Sequence, residues 1–115
     1  MVPILERQSP AALAPPLRWR GRSGRHYTLR PARLDDFALR NNGLYLVARG
    51  SLVLWAGSSD DVINDADSRA RFRLALDCAD RVFEVEAGAD HVERMTAVWD
   101  LEGAEPVPER SAAAA

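Results

Sequence analysis

Lysine is absent from this chain, and cysteine occurs once, as Cys78. A lone cysteine has no partner within the chain, so no internal disulfide forms and a reducing, cytoplasmic setting is the expectation. No apolar run approaches the roughly 20 residues that a membrane helix requires. Near the start, Glu6 and several prolines break the place where the apolar centre of a secretory signal would sit. The two histidines, His26 and His91, offer no metal-ligand spacing. Ser58 and Ser59 lack a recognisable His and Asp arrangement, and no glycine-rich phosphate loop is present. These absences argue against membrane spans, disulfide scaffolds, histidine metal sites, serine hydrolases and nucleotide-loop enzymes.

What is present is an ordinary globular composition. With 47% hydrophobic and 28% charged residues over 115 positions, the chain suits one modest core and not two domains. A net charge of −2 hides a polarity along the sequence. Arg18, Arg20, Arg22, Arg25, Arg30 and Arg33 follow one another with no acid among them, whereas residues 77–109 are strongly acidic. Such a basic arm either keeps the chain soluble or meets phosphate or an acidic partner.

The stretch with the clearest structure runs from Gly43 to Gly57. Two apolar, β-prone runs, residues 44–48 and 52–56, flank Arg49-Gly50-Ser51, which predicts a hairpin turned at a glycine. Both strands are apolar at nearly every position, so both faces are expected to meet protein. Upstream, the prolines and glycines of residues 1–25 read as a flexible Pro/Arg-rich arm. Residues 26–29 have the character of an edge strand that Pro31 stops.

Downstream, Ser58-Ser59-Asp60-Asp61 can cap a short helix through Val62 and Ile63. Phe72, Ala75, Leu76 and Ala79 recur at helical spacing within a helix from Arg69 to about Asp80. Residues 82–86 alternate apolar and acidic side chains as a strand does. A last helix, from His91 to about Leu101, is expected to bury Val92, Met95 and Trp99. Residues 26–102 are therefore expected to form a single α/β (α+β) domain of β-β-α-β-α order. Its sheet would be small and three-stranded, with helices packed against it, the arm before it and a disordered tail over 103–115.

Gly43-Leu44-Tyr45, followed after nine residues by Trp55-Ala56-Gly57, resembles the two signature strands of the GIY-YIG nuclease domain. Ser59 matches a frequent serine of that motif, and the element order agrees with the family's core. The resemblance implies a catalytic role for Tyr45 and for Arg71 or Arg69 at the scissile phosphate, and Glu93 as ligand to Mg²⁺. Trp55 stands where the family has a second tyrosine, and no asparagine follows Glu93 where the family has one. Hydrolysis of a phosphodiester needs an activated water, charge compensation on the phosphate oxygens and a divalent cation at the leaving oxygen. Losing a hydroxyl from such a set weakens the reaction.

The expected function is thus a divergent nucleic-acid-processing or nucleic-acid-binding protein, with at most weak Mg²⁺-dependent phosphodiesterase activity. Arg18, Arg20, Arg22 and Arg25 would hold the nucleic-acid backbone, helped by Trp55 and Ser59. The alternative is a non-enzymatic protein-interaction module on the same scaffold. A third reading pairs the apolar hairpin edge with a second copy.

Overall fold

Residues 15–35, 37–40, 43–86 and 90–108 are described by a computed structural model. In chain order the elements are β1 (Leu17–Arg20), β2 (His26–Ala32), β3 (Leu44–Arg49), β4 (Leu52–Ser58), α1 (Ser59–Asn64), α2 (Ala66–Cys78), β5 (Arg81–Val85), α3 (His91–Leu101) and β6 (Glu105–Pro106). The six strands form one antiparallel sheet in the order β4-β3-β5-β2-β1-β6. The expected three-stranded sheet is corrected to one of twice that size.

The hairpin forms where the sequence places it. Gly50 takes φ 58°, the sign that the first position of a tight two-residue turn needs and that glycine adopts without strain. Opposite it, Val47 pairs with Trp55 and Ala48 with Val53, so Leu54 is an extra residue in a β-bulge. Ser58 then caps α1: its hydroxyl accepts from the Asp61 backbone, and the Asp61 carboxylate accepts from that of Ser58. Asp65 caps α2 through Ser68.

Side chains of β3 alternate between two cores. Leu44, Leu46 and Ala48 join Trp19, Tyr27, Leu29, Phe83 and Val85 beneath α3, which contributes Ala97 and Leu101. Tyr45 and Val47 join Trp55, Val62, Phe72, Ala75 and Val82 beneath α1 and α2. The central strands are therefore covered on both faces, which is why β3 is apolar at consecutive positions.

Four further expectations are corrected. Residues 17–25, expected within a flexible arm, form β1 and the turn into β2; Leu17 and Trp19 point inward while Arg18 and Arg20 alternate with them. β2 is an inner strand that continues through Pro31. Thr28 accepts a hydrogen bond from Glu86 on the β5 side, so by alternation Pro31 turns the other way, where β1 has already ended. No ladder bond is lost. On α3, Val92, Met95 and Trp99 are 66%, 59% and 56% exposed, and the buried face is Ala97, Asp100 and Leu101. The sheet beneath α3 already carries Trp19, Tyr27 and Phe83, so the helix fits closely only through a small residue. Finally, Ala104 is buried and Glu105–Pro106 pairs with β1, inside the stretch expected to be tail.

Candidate functional site

The hairpin alternation decides where Tyr45 stands. Its ring is fully buried among the residues under α2, edge-on to Phe37 with centroids 5.3 Å apart. Its hydroxyl accepts a hydrogen bond from the Arg40 backbone at 2.7 Å. Glu93 is exposed on α3, which covers the opposite face of the sheet. The phenol and the carboxylate thus lie on opposite sides of β3, and no common hollow joins them.

The two arginine candidates also separate. Arg69 donates to Val62 O and Ile63 O, both at 3.0 Å, and so closes the last turn of α1. Arg71 is exposed and, among the described residues, has no hydrogen-bond or ion-pair partner. Ser59 is buried and is joined to Gly43 through both donor and acceptor, which ties the start of β3 to α1 and leaves nothing for a ligand.

Half of the basic stretch, and Arg40 after it, is answered by the acidic half of the chain. Arg20 meets Glu105 at 2.7 Å, Arg30 meets Glu86 at 2.7 Å, Arg40 meets Glu84 at 3.4 Å and Arg22 lies 3.9 Å from Glu102. Arg22 also rests over the Trp99 ring, and Arg25 over Tyr27. Arg18 is exposed. The polarity seen in the sequence is folded onto itself, which lowers the field an external phosphate would meet.

Two clefts hold the remaining candidates. One, of about 380 Å³, is lined by Arg25, His26, Tyr27, Thr28, Glu86 and Glu93 at the junction of β2 and α3. Glu93 shares it with the fixed charge of Arg25, and Glu86 is already paired with Arg30. Among the described residues, no three His, Cys, Asp or Glu side chains gather as a cation site.

The other cleft, of about 270 Å³, runs along the outer edge of β4. Its floor is strand residues Val53, Leu54, Trp55 and Ala56; Asp61, Ser68 and Arg71 form one wall, and Val98 and Glu102 of α3 form the other. Trp55, packed edge-on to Phe72 at 4.8 Å, and Arg71 are two sequence candidates that the fold brings together here, as it brings Arg25 and Glu93 together in the other cleft. The cleft offers unpaired strand backbone, apolar side chains and charges of both signs.

One polar centre was not foreseen. Asp100, 2% exposed in the last turn of α3, accepts from Ser23 N–H and Ser23 Oγ at 2.7 Å each and from Tyr27 OH at 2.8 Å. Gly21 lies so close that an added Cβ would stand 2.5 Å from the carboxylate, so only glycine lets the β1–β2 turn approach. Burial pushes the Asp100 pKa up, but the bonds from Ser23 and Tyr27 outweigh it and hold the group below the usual range. Burial first, and then Asp100, push Tyr27 up to about 12. The available signal was an acid at the negative end of a helix dipole, where a surface carboxylate gains nothing. Compared with family models, with curated proteins and with solved structures, the chain gives no match.

Proposed function

We propose that this chain is a non-enzymatic protein-interaction module that takes up an extended strand along β4. The observation that carries the reading is the outer side of β4: an edge seven residues long with no charge and no proline, set between helical walls. Such an edge presents backbone donors and acceptors that another strand satisfies, while the flanking side chains select what binds. The placement of Tyr45 and Glu93 on opposite faces favours this role over phosphodiester cleavage.

The test is to titrate isotope-labelled protein with extended apolar peptides, the chain's own residues 50–58 among them. Shifts in the backbone amides of residues 52–58 are expected; shifts confined to other strands would overturn the reading.

Nucleic-acid contact is the second reading, favoured by one observation: Arg71, which no hydrogen bond or ion pair holds among the described residues, shares a cleft with Trp55. On that reading, DNA retention fades steeply with salt and disappears in Arg71→Ala. Plasmid nicking in Mg²⁺ that Glu93→Ala abolishes would restore the nuclease.

A further inference from the structure

We infer that the strand taken up along β4 is β4 of a second copy of this chain, the two joined antiparallel across a two-fold axis into one continuous sheet. This rests on the interaction reading above and adds the identity of the partner.

The backbone is set for it. Ser59 N–H donates to Gly43 O, so by antiparallel alternation Trp55 and Gly57 turn their backbone groups toward β3. Ala56 turns its own outward, whereas the Ser58 N–H is already held by the Asp61 carboxylate in the α1 cap. A second β4 running the other way meets the outward groups with its own, and the bonds repeat about the axis as an isologous contact requires.

Charge decides between a second copy and a foreign strand. The cleft carries the guanidinium of Arg71, which no hydrogen bond or ion pair holds among the described residues, and the carboxylates of Asp61, which caps α1, and Glu102, 3.9 Å from Arg22. A basic peptide would satisfy the carboxylates and repel Arg71; an acidic one would do the reverse. A two-fold axis perpendicular to the sheet keeps each face on its own side, so the α1–α2 wall of one copy adjoins that of the other. There Arg71 of each copy meets the Asp61 carboxylate of its mate, so the two opposite charges of that wall are answered together, while Glu102 stays beside its own Arg22.

The α3 wall adds apolar area. Met95 lies one turn before Val98 and two turns before Glu102, so the exposed row that includes Trp99 continues directly from the cleft. This is the row whose burial the sequence pattern predicts, and pairing of two copies supplies a cover for it.

Sedimentation equilibrium of the full chain over a wide concentration range, with amide hydrogen exchange on the same samples, tests the inference. A dimer is expected, with amides of residues 52–58 protected as concentration rises. Leu54→Lys places a charge on the edge and is expected to weaken the dimer. Arg71→Glu changes only an exposed helix side chain, so the fold is kept, and is expected to weaken association on the order of tenfold or more. A dimer indifferent to both substitutions would place the contact elsewhere and overturn the inference. A monomer whose β4 amides are protected by a foreign peptide overturns it too, while sparing the interaction reading. A monomer that no peptide protects ends both.

Discussion

The two edges of the sheet are built in opposite ways. At one end β6 is two residues long, contains Pro106, and lies on β1, where Arg18 and Arg20 alternate with inward apolar residues. Its neighbourhood is satisfied from within: Val107 N–H bonds Arg18 O, Arg20 meets Glu105, and Asp100 gathers the turn that joins β1 to β2. At the other end β4 has seven residues, none charged, and opens into a cleft with Arg71, an arginine that no hydrogen bond or ion pair holds among the described residues. A short, charged, proline-bearing edge resists further pairing, and a long apolar one invites it. The difference teaches that growth of the sheet has been closed on one side only.

The closed side breaks most readily at Asp100. Asp100→Ala leaves Tyr27 OH and Ser23 N–H without their acceptor in a buried place, and the expected loss of stability is about 2–4 kcal/mol. Asp100→Asn keeps an acceptor and is expected to lose less. Urea unfolding followed by tryptophan fluorescence measures both. If the Ala variant unfolds with the wild-type midpoint, the turn does not depend on this carboxylate, and the contrast between the edges loses its physical basis.

Hydrogen-ion concentration probes the same centre without mutation. The Asp100 pKa is lowered by folding, so its contribution is present above the unfolded value, about 4, and is lost as pH falls through the folded one. Tyr27 runs the other way. Its pKa rises from 10.0 to about 12, so stability holds below 10.0 and declines as pH climbs between those values. Unfolding midpoints across pH are expected to drop at both ends, and Asp100→Asn is expected to flatten the acid limb more than any surface acid.

The sequence made local structure legible and long-range pairing far less so. The hairpin, its glycine turn, the Ser58 cap and the α2 stripe all follow from neighbours a few residues apart. β1 and β2 were obscured by the glycines and prolines around them, although Leu17, Trp19, Tyr27 and Leu29 carry a two-residue alternation. β6 has only two residues and gains its register from β1, far away in the chain. On α3 the apolar spacing of Val92, Met95 and Trp99 is helical, yet the face that fits a sheet crowded with aromatics is the one bearing Ala97. Site residues failed for a related reason. β3 is apolar on both faces, so hydropathy cannot tell which side of the sheet Tyr45 occupies.

A smaller effect sharpens the contrast from the open side. Tyr45→Phe keeps the ring against Phe37 and removes only the acceptor for Arg40 N–H, so a loss of about 1 kcal/mol is expected. Because the phenol serves the fold beneath α2, this variant is expected to leave association through β4 unchanged, as sedimentation would show. A variant that instead dissociated copies at unchanged stability would bring Tyr45 back as a contact residue.

The smallest effect separates shape from charge at the closed edge. Arg20 and Glu105 are both substantially exposed, and a pair of that kind contributes roughly 0.2–0.5 kcal/mol, so Arg20→Ala is expected to move the unfolding midpoint barely at all. What keeps strands off β6 is then its length and the missing N–H of Pro106, which no side-chain pair replaces. Glu105→Ala, removing the same pair from the other side, is expected to match it. If either substitution produced larger assemblies in sedimentation, the ion pair itself would be the barrier, and the two edges would differ by charge and not by backbone.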